Sequence, residues 1–296
     1  MEPLTGRKLD MLQHLAEHRL LTVSQIEELF STSNAMVRRY GGQLADAGLV
    51  VCSSRGLGRS QGRPENVYSL TVEGVNALKA AERLPVNVEP EHVTSDSLAR
   101  EVDHQLLLNW CAIQCRRLPQ LNPALTVTFL SSKSPYHRGE SGGSVLTEHI
   151  TRLDGESVVF LPDAVFAITH AELKKSLLFF LEVDMGTETA ASPRRVTRND
   201  RRTKILLYRA YLANKGYKRY EHRFQAQFHG FRMLLLANTS SNRDSLCRLV
   251  QEMKPSDFVW VSDQEVMLAE GIGGRIWARG GNGGVLESIL GRPSRQ

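Results

Sequence analysis

The chain has 296 residues, a hydrophobic fraction of 41% and a charged fraction of 23%, which suits a globular protein with room for two ordinary domains. No apolar run approaches the roughly 20 residues of a membrane helix, so a membrane partner is not expected. The net charge of +5 and a pI near 9.1 favour a polyanionic partner.

Residues 4–18 place Leu4, Leu9, Leu12 and Leu15 at helical spacing, with Thr5 able to cap. Thr22 can cap a helix over 23–30, and Ser33 one over 34–47 that stops at Gly48. Residues 49–51 read as a strand, 53–64 as a glycine- and arginine-rich tip, and 66–70 as the returning strand. Thr71 caps a fourth helix through Leu84. The third helix offers Ser33, Asn34, Met36, Arg38, Arg39 and Gln43 outward, and the tip carries Arg55, Arg59 and Arg63. Arginines in those positions suit phosphate or minor-groove contact. Docking of a protein partner is the other use of such a surface.

Residues 85–95, with two prolines and several acids, read as a junction. Residues 96–118 read as a long, largely buried helix, on which Cys111 and Cys115 share a face as core residues or, less simply, metal ligands. Glu101 and His104 share another face and either reach an acidic site or pair at the surface. The four cysteines suit a reducing compartment, and the first seven residues lack the apolar core of a signal peptide, so a cytoplasmic location is expected. A strand at 124–130 precedes a polar, glycine-rich loop over 131–153.

The stretch 161–188 concentrates acid. Two apolar runs joined by a charged turn read as a hairpin, with Asp163 at the start of the first strand and Glu182 and Asp184 at the end of the second. Antiparallel pairing sets that start beside that end. Side chains two apart share a face, so three carboxylates gather and require a cation or basic side chains. After a loop over 186–195, a helix over 199–215 places Lys204 and Tyr208 one turn apart and carries Arg198, Arg201 and Arg202. A strand at 231–237, a helix at 242–253, a strand at 258–262 and a short helix at 263–269 complete a mixed sheet flanked by helices. Residues 271–284 read as loose glycine-rich turns.

Residues 1–84 resemble bacterial winged-helix regulators, through Leu44-Ala-Asp-Ala-Gly48-Leu-Val and Tyr68-Ser-Leu-Thr71-Val-Glu-Gly74. That resemblance implies duplex DNA as partner, the third helix in the major groove, and a homodimer on paired half-sites as one arrangement. Residues 96–296 resemble the PD-(D/E)xK nuclease core, with Pro162-Asp163 and Glu182-Val183-Asp184 at its acidic positions. The fold implied is α/β (α+β): an N-terminal winged helix-turn-helix and a C-terminal mixed sheet of restriction-endonuclease type.

This second resemblance implies Asp163, Glu182 and Asp184 as ligands of Mg²⁺ (or Mn²⁺) and catalytic residues. Lys204 stands in for the lysine that Asp184 displaces. Arg194, Arg195, Arg198, Arg201 and Arg202 then line the DNA approach, and Tyr208 bonds Lys204 or a phosphate. The whole arrangement is most similar to the replication-relaxation family of mobile genetic elements, through Pro162-Asp-Ala164, the string Leu181-Glu-Val-Asp-Met-Gly-Thr-Glu188, and Lys204 with Tyr208. That similarity implies a DNA-handling protein of a plasmid or other mobile element, with partner proteins of that element. It is either a metal-dependent endonuclease or nickase, or a non-catalytic accessory factor with a degenerate nuclease core. A tyrosine relaxase is disfavoured, because no histidine cluster accompanies Tyr208 or Tyr211, and His222 and His229 are too far apart for one helix turn.

Overall fold

The computed structural model of the chain describes residues 4, 6–55, 65–94, 101–139, 142–151, 157–186 and 201–291. Thr5, Arg59, Arg63, Arg194, Arg195, Arg198 and the Arg55 side chain lie outside that description. Two compact units are formed: Met1–Ile113 with Ser132–Val145, and Gln114–Ser131 with Leu146–Gln296. Among the described residues no helix is long and apolar enough to cross a membrane.

The first unit runs α1 Gly6–His18, β1 Leu20–Thr22, α2 Val23–Phe30, α3 Asn34–Asp46, β2 Val50–Arg55, β3 Glu65–Leu70 and α4 Val72–Ala80. The expected caps are present. Thr22 Oγ1 accepts from Gln25 N while Gln25 Oε1 accepts from Thr22 N, so each satisfies a backbone donor the helix cannot. Ser33 and Thr71 accept from Met36 N and Gly74 N. The three-residue β1 went unanticipated; it pairs antiparallel with β3 to give a sheet ordered β1-β3-β2.

Helix α3 meets β3 closely at Gly41, where an added Cβ would fall 2.4 Å from the Tyr68 ring. Leu12, Leu15, Ile26, Val37, Leu44, Val75 and Leu78 fill the core. Residues read as a junction join it: Val88 and Val93 are buried in the same cluster, and Arg19 donates to the Thr94 carbonyl at 2.6 Å.

Helix α5 Val102–Leu121 is divided between the units at Ile113 and Gln114. Cys111 and Cys115 are fully buried on it, as core residues are. Glu101 pairs with Lys133 at 3.0 Å.

The second unit is built on a seven-stranded mixed sheet ordered β12-β11-β10-β9-β8-β7-β4. Its strands are β4 Leu125–Ser131, β7 Ala164–His170, β8 Lys175–Asp184, β9 Arg232–Ala237, β10 Val259–Asp263, β11 Arg275–Arg279 and β12 Leu286–Ser288. β4, β7 and β8 form an antiparallel meander. β9 is parallel to β8, and β10 to β9. Helix α6 Arg201–Ala213 precedes β9, and α8 Ser240–Glu252 links β9 to β10, as parallel neighbours require.

The last seven residues of β8 are all buried, the pattern of a strand covered on both faces. Phe180 lies at the centre of an aromatic cluster with Tyr208, Tyr211, Tyr220 and Phe231, at ring distances of 4.6–5.7 Å. Two stretches read as loops contain strands instead. β5 Glu148–Thr151 and β6 Ser157–Phe160 make a separate two-stranded sheet within the supposed 131–153 loop and beyond it. β11 and β12 lie in and after the glycine-rich 271–284 stretch, where Trp277 is fully buried. Helices α7 Tyr220–Phe224 and α9 Gln264–Glu270 complete the set described.

Candidate functional site

The hairpin gathers acid as its sequence requires. β7 and β8 pair in a register with Ala164 opposite Leu181, and one further step brings Asp163 beside Glu182. There Asp163 Oδ2 accepts from Val183 N at 2.8 Å, so a carboxylate continues the ladder where the strand pairing stops. Glu182 and Asp184, two apart, lie on the face covered by α6. Arg201, Lys204 and Tyr208, at i, i+3 and i+7, form the facing row of that helix.

The two acids of β8 are treated differently. Glu182 is 4% exposed. Its Oε1 accepts from the Tyr208 hydroxyl at 2.5 Å, and its Oε2 lies 3.2 Å from Lys204 Nζ. Burial pushes its carboxyl up, Lys204 and Tyr208 pull it down, and the neighbouring Asp163 charge pushes it up again, leaving it at about 7. Asp184 is 6% exposed. Its Oδ1 accepts from Arg201 at 2.6 Å, Asn242 at 2.9 Å and the Gly186 amide at 2.8 Å. Burial raises the Asp184 carboxyl, but those three donors outweigh it and hold it below the ordinary aspartate value.

Several expectations change with this geometry. Asp184, expected beside Asp163 and Glu182 on one cation, accepts from a guanidinium and an amide of the protein itself. Arg201, expected on a DNA approach, is 7% exposed and bonds Asp184 and Asn242. The helical docking that sets Lys204 over Glu182 turns Arg201 inward one turn earlier. Arg202 is half-exposed and pairs with Glu252. Tyr208 donates to Glu182. In the first unit, Ser33, Arg38 and Arg39 are exposed and Asn34 is half-buried. There Arg38 Nε donates to Asn34 Oδ1 at 2.7 Å, and Arg39 stacks over Tyr40 at 5.4 Å.

Two participants had no signal in the sequence. Asn242, in the first turn of α8, donates to both the side chain and the carbonyl of Asp184. Glu148, on the unexpected β5, is 1% exposed and accepts from Tyr211 at 2.6 Å, Tyr220 at 2.5 Å and Arg219 at 3.0 Å. Burial raises its carboxyl above the ordinary value despite those donors.

The Asp163–Glu182 pair sets a half-buried and a buried carboxylate side by side, with the Lys204 ammonium 3.2 Å from Glu182. Paired carboxylates fit an oxygen-preferring divalent cation, and Asp163 and Glu182 are the residues that could hold one. No curated protein matches the chain. The family model for replication-relaxation matches residues 12–226, which takes in α1 from Leu12 onward, the later helices of the first unit, the acidic hairpin and α6, and the chain therefore belongs to the replication-relaxation family.

Proposed function

We propose that this chain acts on the DNA of a mobile element, reading duplex DNA through a winged helix in its first unit and cleaving one strand with a nuclease-like second unit. Family membership implies the coarser role, in replication or relaxation of mobile elements. The observation that carries the finer reading is Lys204 Nζ at 3.2 Å from Glu182 Oε2. It supplies, from α6, the ammonium that the strand lacks at Asp184. The order helix, strand, Asp163 strand, Glu182 strand, helix, strand supports the same reading.

Asp163 and Glu182 are the residues that would hold Mg²⁺ or Mn²⁺. The ion, when bound, supplies charge compensation and an acidified water. Lys204 stabilises charge developing on the phosphate. Tyr208 orients the Glu182 carboxylate and keeps it from rotating. Arg201 and Asn242 anchor Asp184 and with it the end of β8. In the first unit, α3 enters the major groove with Asn34 at the bases and Arg38 and Arg39 at phosphates.

One feature favours a second reading, a non-catalytic DNA-binding factor: both Glu182 oxygens already have protein partners. Supercoiled plasmid incubated with the protein and Mg²⁺ or Mn²⁺ separates the two. Nicking that is lost in Asp163→Asn and Glu182→Gln supports the enzyme. Absence of nicking in either metal, with duplex binding intact, leaves the accessory factor.

A further inference from the structure

Helix α1 carries a second cluster of ligating side chains, in the other unit and of different chemistry. His14, Glu17 and His18 stand at i, i+3 and i+4, hence on one face of the helix. One ligand atom from each lies within 4.8 Å of the others, and among the described residues this is the one His/Cys/Asp/Glu trio so compact. Two edges of the triangle are shorter: His14 Nδ1 to Glu17 Oε2 is 3.5 Å and His18 Nε2 to the same oxygen is 4.0 Å. Ligands about 2.0–2.1 Å from a tetrahedral zinc ion are separated by about 3.3 Å. Small side-chain rotations therefore close the triangle around an ion.

Two further observations bear on the cluster. His14 Nδ1 is a buried atom that faces Glu17 Oε2 at 3.5 Å. The His14 ring is fixed edge-on against Phe30 at 5.3 Å and lies near-parallel to His18, with 23° between the planes, so two imidazoles are already ordered side by side. Imidazoles with one carboxylate select zinc and its first-row neighbours over magnesium or calcium.

We infer that His14, Glu17 and His18 form a binding site for a first-row divalent cation, best matched by Zn²⁺, at the end of α1. The ion stabilises the first unit by binding its folded form alone. Without an ion, the same side chains make an ordinary ion-paired cluster, and that is the outcome the experiment must separate.

The test uses the full chain without an affinity tag, stripped with chelator and titrated with Zn²⁺ by calorimetry and thermal melting. Co²⁺ is titrated in parallel and its visible absorption followed. The expected result is one Zn²⁺ per chain at this site, a rise in Tm of about 5 °C at a hundredfold excess over Kd, and the intense visible bands of tetrahedral Co²⁺. His14→Gln and Glu17→Gln, checked for native circular dichroism, each weaken Zn²⁺ by at least about tenfold. Asp163→Asn leaves it unchanged, which separates this site from the carboxylates of β8 and from the nuclease reading. Zn²⁺ that neither binds nor stabilises the wild-type chain overturns the proposal. So does binding that survives both α1 substitutions, or that is lost only in Asp163→Asn.

Discussion

Glu182 and Asp184 are two residues apart on one strand, face the same helix and are equally buried, yet they meet opposite environments. Asp184 has a guanidinium at 2.6 Å and two amide donors, and its charge is settled within the protein. Glu182 has one ammonium, one hydroxyl and a second carboxylate beside it, and its carboxyl stands at about 7. The difference shows how two acids of one motif come to carry opposite shifts. A buried acid balanced by a partner of equal charge stabilises a strand end. A buried acid beside a second carboxylate has its carboxyl raised, and such perturbed groups concentrate at functional sites.

The largest effect should come from breaking the balanced acid. Asp184→Asn leaves the Arg201 guanidinium buried without a counter-charge, and the expected cost is about 3–5 kcal/mol in chemical denaturation. The double variant Asp184→Asn with Arg201→Met should recover part of that loss, since removing both charges removes the imbalance. Equal losses in the single and double variants would show that Asp184 is not held by charge. At the unbalanced acid the order reverses. Glu182→Gln should reduce plasmid nicking by at least about 100-fold, roughly 2.7 kcal/mol of activation free energy, while stability is held or raised. A large loss of stability in Glu182→Gln would erase the distinction between the two acids.

Acid titration sharpens the same contrast with the opposite sign at each residue. Asp184 has its carboxyl below the ordinary value in the folded state, so the stability it contributes is present above the ordinary aspartate range and is lost as pH falls through the folded value. The stability gap between wild type and Asp184→Asn should therefore close in acid. Glu182 is raised, so the folded protein holds its proton more tightly than the unfolded chain. Its contribution is fully present below the ordinary value of 4.5 and falls away as pH rises to about 7. Urea midpoints of wild type and Glu182→Gln compared from pH 4 to pH 8 would read this directly, with the variant gaining on wild type as pH rises. The smallest effect is expected at Tyr208→Phe. It removes one hydrogen bond to a charged group, about 1.5–3 kcal/mol if Glu182 is ionised and nearer 1 kcal/mol if it is protonated. A pH-independent loss would place the proton elsewhere.

Much of this site was legible in the sequence for simple reasons. A hairpin has one register compatible with its apolar faces, so Asp163 was bound to reach Glu182. Thr22, Ser33 and Thr71 announced helix starts because a hydroxyl there satisfies an orphan amide. Lys204 was legible because a basic residue one turn into the helix after β8 can reach back. The roles within the basic helix were not. Arg198, Arg201 and Arg202 look alike as a solvated basic run, and only the rotation of α6 against β8 turns Arg201 inward to Asp184. Glu148 gave no signal at all, since a glutamate in a polar stretch is ordinarily a surface residue.

Chain chemistry alone thus determined the local elements, their caps, the excess of basic charge and the convergence of Asp163 with Glu182, all set by interactions short in sequence or by strand periodicity. Tertiary structure decided which charge meets which. It assigned Arg201 and Asn242 to Asp184, set Lys204 against Glu182, drew residues 85–94 into the first core, and made β5 and its buried Glu148 from a stretch that reads as loop. The physical reason is that charge compensation and strand pairing across tens of residues depend on how elements dock, and helical or strand periodicity carries no record of the partner.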